Sequence, residues 1–503
     1  MPEAKNCTMK YSGLLVLVLI FAALRGAAQT NLDLTTGQPR PLSLQDCFAE
    51  AIKHNLDIQV ERYTPKLSLY DLSSAYAGYD PVFNIAGQHN YNENAPEGFT
   101  PTIDKSDTFQ SGLAGVAPWG LNYNFSGNIG ENYGFSTTTN AFDTTSGNIQ
   151  LSMTQPLLKN FWNDNNRLAI KVAKNRVKYA DQTLRQQIIT TMTAVENAYY
   201  ELVFAQQNVE VQTQALVLAQ TQLDQDRQRV SVGSLAPLDV QQDEAQAASS
   251  QANLISAIST LGTDERVLKN LITDQYSTWY NNPIQPDMSL DAPLQLFDLQ
   301  DSWNKGLRNR PDLIQAKLDV EQQGFNLKYS RNQLYPELDL IGTYGYNGSS
   351  REFSGTFEQF NEGDRPYYTY GAQLSVPLSN LKARSSYKSA KATQQQLLLR
   401  LKQLEQNIMV QIDNAVGVAR SAYESVQATK EARIYAEAAL DAEQKKYAVG
   451  KSTTFTVLQL QNNLTSARSQ EIRSLANYEE ALADLSQQEA STLERDKIDI
   501  QTQ

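Results

Sequence analysis

YAVGKSTTFTVLQLQ, residues 447–461, decides how the chain is built, because its Val-Gly step interrupts a stretch with no proline from Leu378 onward. A helix-favouring run of this kind breaks at a lone glycine where the backbone must change direction. The same phrase occurs earlier as VSVGSLAPLDVQQ from Val230, with Gly233 standing for Gly450 and Val240 for Val457. Each glycine ends a long amphipathic run. From Asn165 to Val230 there is neither Pro nor Gly, and Leu184, Ile188, Val195, Tyr199 and Leu202 recur at steps of three, four or seven. Leu397, Leu401, Leu404, Ile408, Ile412, Ala415 and Ala419 repeat the pattern. Such spacing predicts helices with a narrow apolar seam, and about 65 residues at 1.5 Å each make a rod of roughly 100 Å. Gly233 and Gly450 would turn the rods back, with Pro237 tolerated in the first turn of the returning helix.

The duplication extends beyond the turns. LQD at Leu44–Asp46 returns as LQD at Leu299–Asp301, Asp57 meets Asp312, Pro81 meets Pro336, and Tyr91-Asn92 meets Tyr346-Asn347. LSMTQPL at Leu151–Leu157 matches LSVPL at Leu374–Leu378, and the first half carries extra residues between Asn92 and Leu151. The order of elements is therefore written twice. The expected layout is a leader at 1–28 and a first repeat at 42–275. That repeat holds a helix, strands within 81–156, a long helix 165–231 and a return helix 236–272. A linking segment follows at 276–296. The second repeat, 297–490, holds a helix, strands within 336–377, a long helix 381–448 and a return helix 454–490, before a tail at 491–503.

Bulk properties exclude several function classes. The 503 residues are 41% hydrophobic with a formal charge of −12, which disfavours a nucleic-acid partner. Two His and two Cys leave little for a His/Cys metal cage or a thiol site, so no metal and no cofactor is expected. No Gly-x-Ser-x-Gly, His-Glu-x-x-His or phosphate loop occurs, and the chain is not expected to be an enzyme. Lys10, the uncharged run YSGLLVLVLIFAAL and the small residues Gly26-Ala27-Ala28 read as a secretory signal cut near Ala28. Cys7 precedes that run, so it is not a lipid-bearing cysteine, and Cys47 would remain alone.

Between the helices the period changes to two. In GLNYNFSGNIG, Leu121, Tyr123, Phe125 and Ile129 face one way while Asn122, Asn124, Ser126 and Asn128 face the other. NIQLSMTQ and PELDLIGTYGY alternate likewise, the pattern of outer-membrane barrel strands. The segments near 81–92, 107–117, 120–130 and 147–156, with two more in the second half, are too few to close a barrel. Open edges are not tolerated in lipid, so copies of the chain must close it with cyclic symmetry. A soluble amphipathic sheet, a fibrous coiled coil and a general porin are the rival readings. The long rods speak against the porin.

RNRPDLIQAKLD at Arg308–Asp319, LYPELDLIGTYGY after it, its degenerate twin KHNLDIQVE at Lys53–Glu61, and the paired turns resemble the TolC family of outer-membrane efflux proteins. The carriers of that motif are Arg310, Pro311, Asp312 and Leu313. The resemblance implies a homotrimer with one outer-membrane β-barrel of twelve strands, continued by a periplasmic α-helical barrel with a mixed belt at mid-height. YSTWYNNPIQPDMSLDAPLQL at 276–296 suits the belt. It implies an exit duct for a tripartite efflux or type I secretion system, partnered by a periplasmic adaptor protein and an inner-membrane pump. With twelve strands, the middle hairpin of the first half would stand outside the lipid; with all six strands of each chain in the membrane, a trimer would have eighteen.

The resemblance also makes the turns a gate. Asp239 and Tyr447 match an aspartate and a tyrosine that bond across subunits. Thr456 and Gln459 stand where an aspartate ring lines the entrance, and Ser452, beside Lys451, stands where an arginine belongs. The carboxylates are then displaced to Asp243 and Glu244, or are simply solvated. Val232, Val449 and Lys451, beside Gly233 and Gly450, are the expected adaptor contacts.

Overall fold

A computed structural model describes residues 39–94, 102–136, 140–295 and 297–496; the expected leader and the end of the tail lie outside these. Strand β1 (Arg40–Leu42) leads into α1 (Leu44–His54), α2 (Leu56–Glu61) and α3 (Tyr63–Tyr76). Four strands follow: β2 (Val82–Asn94), β3 (Thr102–Val116), β4 (Asn122–Ser136) and β5 (Asn140–Pro156). The first hairpin is α4 (Asn165–Ser231) and α5 (Pro237–Ile272), and α6 (Tyr276–Trp279) and β6 (Ile284–Pro286) link the halves. The second half runs α7 (Leu299–Asn309), α8 (Pro311–Asn332), β7 (Glu337–Ser350), α9 (Phe353–Glu362) and β8 (Pro366–Ser375). It ends with the hairpin α10 (Leu381–Ala448) and α11 (Thr454–Glu489), then α12 (Thr492–Arg495).

Helices α3, α4, α8 and α10 lie side by side next to the sheet, and toward the turns the row becomes α5, α4, α11 and α10. The thickest core sits where these rows meet. Phe48, Ile58, Met192, Tyr199, Leu202, Leu268 and Ile272 are buried there, capped by the parallel pair β1–β6. A second cluster joins Leu313 to Ile408, Ile412, Val416 and Leu485, and Gly306 lets α7 approach Ile412. The RPDL motif builds that contact. Pro311 opens α8, while the Arg310 guanidinium pairs with Asp312 at 2.8 Å and donates to Gln411 (2.9 Å) and Gln488 (3.0 Å). Its twin position shows the duplication in the backbone itself: Asn55 has φ −64° and ψ 125°, Arg310 −63° and 123°. Past α11 the tail folds back, and Arg495 donates to Ser486 (2.7 Å) and pairs with the buried Glu196.

The sheet corrects the twelve-strand expectation. All six long strands form one antiparallel sheet in the order β2-β3-β4-β5-β7-β8. The middle hairpin is paired along its length, Val82–Asn94 against Thr102–Ala114 on one side and Asn122–Ser136 against Asn140–Thr154 on the other. It is wall, not an extension. Strands also run farther than their alternation suggested, because Asp104 to Asp107, Glu131 and Asp143 put polar side chains on both faces of the distal ends. One face carries Phe83, Ile85, Leu113, Phe125, Leu151, Met153, Leu340, Tyr344 and Leu374; the other carries Asn84, Gln110, Ser126, Asn148, Gln150 and Thr343. Among the described residues β2 and β8 have no partner on their outer edges. Leu313 is the side chain whose loss tests how the helical rows hold together. Leu313→Ala should cost about 2–5 kcal/mol, seen as a lower thermal midpoint of the helical circular-dichroism signal; an unchanged midpoint would show that this cluster does not hold α8.

Candidate functional site at the helical turns

Both hairpins turn through the same hydrogen bonds. Gly233 (φ +75°) donates to Val230 O and Ser234 to Arg229 O; Gly450 (φ +70°) donates to Tyr447 O and Lys451 to Lys446 O. Each is a left-handed glycine cap satisfying the last helical carbonyls, and neither glycine has a heavy atom within 4 Å of where a Cβ would stand. The glycines are there for the backbone. Val232 is 77% and Val449 69% exposed, and Lys451 is exposed. Leu238 and Phe455, on the returning helices, are also exposed apolar residues of the turns. Sequence reasoning missed both, although each lies a few residues past its glycine where a polar side chain would be ordinary.

Above the turns the chemistry departs from expectation. The Tyr447 hydroxyl donates to Asp226 Oδ2 at 2.7 Å and lies 2.9 Å from Thr454 Oγ1. Within one chain its proton goes to Asp226, whereas the expected Asp239–Tyr447 bond runs between copies of the chain. Gln222 Nε2 also donates to Asp226 Oδ2 (2.8 Å), and the Arg229 guanidinium stacks 4.4 Å from the Tyr447 ring. Burial, followed by donation to Asp226, pushes the Tyr447 hydroxyl up to about 12, against a lowering by Thr454. Asp226 was legible only as an acid on the buried side of α4, three residues after Leu223 and three before Arg229.

Asp243 is fully buried beside Asp226, which corrects its reading as a member of a solvated ring. Apart from Asp226, no side chain supplies a proton donor to its oxygens. Next to Asp226 and out of water, a charge on Asp243 is disfavoured. Burial, then the bond to Asp226 and the charges of Asp226 and Asp239, raise the Asp243 carboxyl to about 7. Glu244 is exposed and accepts from Arg227 at 2.8 Å. Thr456 is half-buried next to the Thr453 cap, and Gln459 is exposed. The RPDL residues lie far along the fold from these turns, in the α7–α8 corner described above. Among the described residues no group of three or more His, Cys, Asp or Glu side chains is arranged to hold a metal.

A duplicated sheet and rod, two matched turns and a polar-faced wall are the architecture of one known class, and the sequence profile of the outer membrane efflux proteins matches residues 49–273 and 303–488. The chain belongs to that family. Family membership makes it an outer-membrane protein. The outer membrane protein TolC of Escherichia coli K12 is 26% identical over 270 residues, 51% of this chain and 52% of that protein. The chain thus aligns with only about half the length of that efflux-family relative. TolC of Vibrio cholerae is 23% identical over 339 residues, 64% of this chain and 74% of that protein. The fold matches the Campylobacter jejuni CmeC outer membrane channel with a TM-score of 0.64 at 14% identity, covering 89% of this chain and 86% of that one.

The raised Asp243 carboxyl makes the packing above the turns pH-dependent. Between the ordinary aspartate value of 3.8 and about 7, the folded chain binds more protons at Asp243 than the unfolded chain does. Stability at the turns is therefore highest on the acid side of that window and falls as pH rises through about 7. Far-UV melts from pH 5 to 8 should show the midpoint falling with pH in the parent and staying flat in Asp243→Asn; equal slopes would place the titrating group elsewhere.

Proposed function

We propose that the protein is the passive outer-membrane exit duct of a tripartite efflux or type I secretion system, working without catalysis of its own. One observation carries this reading: a six-stranded wall with an apolar face and a polar face is continuous with helical hairpins about 100 Å long. A diffusion porin has no use for such rods. The wall needs partners at both edges, and we read the assembly as a homotrimer in which β2 of one copy pairs with β8 of the next, giving an eighteen-stranded barrel. A periplasmic adaptor protein meets the apolar turns at Val232, Leu238, Val449 and Phe455, with Lys451 beside them, and an inner-membrane pump supplies the energy. Cargo selection belongs to those partners. The Pseudomonas putida relative that is 28% identical over 172 residues is named a pyoverdine export protein, and that name describes its own cargo.

In this reading the closed turns are held by the Tyr447–Asp226–Asp243 cluster once per copy. A hydrogen bond to an ionised group is worth about 1.5–3 kcal/mol, and three copies act together on an equilibrium that a few kcal/mol separates. Single-channel recordings in planar bilayers test it. Tyr447→Phe and Asp226→Asn should each raise the open fraction several-fold, while Asp239→Asn leaves it near the parent. If Asp239→Asn opens the channel and Asp226→Asn does not, the tyrosine works on a neighbouring copy instead. A chain that forms no channel at all would sink the duct.

A further inference from the structure

Helix α9 has no counterpart in the first half of the duplicated chain, and its position is unusual. Phe353 at its start packs edge-on against Phe109 of β3 at 6.2 Å, while Phe360 near its end lies over Gly147 of β5 and Gly348 of β7. The helix therefore crosses the strands. Ten residues make about 15 Å of helix, and the three steps from β3 to β7 span about 14 Å. It is seated closely: a Cβ on Gly348 would come within 2.9 Å of Thr356, which is fully buried. Gln359 completes the anchor by accepting from Ser349 N (2.8 Å) and donating to Ser349 O (3.0 Å), on the stretch of β7 that β8 leaves unpaired.

The face it covers is the apolar one. Phe109, Ile129, Gly147 and Gly348 are cross-strand partners or share the side of Phe125, Leu151 and Tyr344. Its height follows from the register. Ten residues of β7 separate Leu338 from Gly348; at about 3.3 Å each and a tilt near 40° they rise about 25 Å, the height of a lipid-facing band. Beyond this level the same face turns polar, with His89, Asp107, Glu131 and Asp143. Phe357, one turn from Phe353 and edge-on to Phe360 at 6.1 Å, is 56% exposed on the flank of the sheet-facing stripe, and the exposed Glu358 and Glu362 lie on the outward side of the helix. With strands tilted near 40°, a helix lying across them at one register level is inclined to the membrane plane by a similar angle, so the ends of its roughly 15 Å differ in height by about 10 Å.

We propose that α9 is an interfacial helix on the outside of the barrel, with Phe357 inserted at the boundary between headgroups and acyl chains of the outer leaflet. The inference rests on the outer-membrane placement of the sheet and goes beyond the duct reading. Its occupant is lipid, because the exposed ring continues the apolar band below it while the acidic side chains flank it at headgroup level. The helix then fixes how deep the barrel sits.

A nitroxide at Phe357→Cys tests this in the full chain reconstituted into phospholipid vesicles, with Cys47 buried and unreactive. Labels at Phe125→Cys, level with Leu151 and Tyr344 near the middle of the apolar face, and at Gln88→Cys, on the polar face, set the scale. The expected result is a depth between the two, with loss of collision with a water-soluble nickel chelate relative to Gln88→Cys and gain of collision with oxygen. Nickel access equal to that at Gln88→Cys would overturn the proposal, as would a label immobilised and shielded from both reagents, which would mean that a protein surface covers Phe357. Channel conductance measured on the same samples separates failure of the duct from failure of the anchor, since Phe357 takes no part in the pore.

Discussion

A strand edge carries a row of backbone N–H and C=O groups, and in hydrocarbon each one left unpaired costs several kcal/mol. The rest of the molecule depends on this constraint. β2 and β8 are the two open edges of a sheet that is apolar on one side and polar on the other. A chain with six such strands cannot curl into a closed wall whose lumen is wide enough to continue into helices. In the proposed trimer, edge pairing between copies satisfies the backbone and encloses water against the polar face. Each protomer's helical row then continues the wall, and the thick core around Met192, Tyr199 and Leu268 fixes its attachment to the rods.

The duplication explains why two different chemistries share one turn. Gly233 and Gly450 make the same cap with the same bonds, so backbone direction is solved identically twice. The side chains around them are not duplicated. Asp226 and Asp243 come from the first hairpin, Tyr447 and Thr454 from the second, and they meet in one buried cluster. That cluster ties one hairpin to the other. It can be loosened by a proton leaving, whereas the turns themselves cannot.

Much of this was legible in the sequence, for stated physical reasons. Long helices show in the 3.6-residue seam through Leu184, Ile188 and Ile408, Ile412, because only one side of each rod is dry. Strands show in alternation only while one face meets lipid, so their distal ends, polar on both faces near Asp104 and Glu131, escaped. All six strand segments were legible, but the resemblance favoured setting the middle hairpin apart, because a resemblance counts shared elements and this hairpin is an addition between Asn92 and Leu151. The resemblance pairs Tyr447 with Asp239 of a neighbouring copy, and it gave no sign of Asp226, which the packing of α4 against α11 brings to the tyrosine within its own chain. α9 escaped altogether: FSGTFEQFNE is ten residues, too short for its period to separate it from an aromatic loop.

Edge closure by copies is the central claim, and native mass spectrometry of the full chain released from lipid nanodiscs measures it directly. The account predicts a particle of three chains, with the β-sheet circular-dichroism signal lost in step with dissociation. A single chain that keeps its sheet signal in lipid would contradict it.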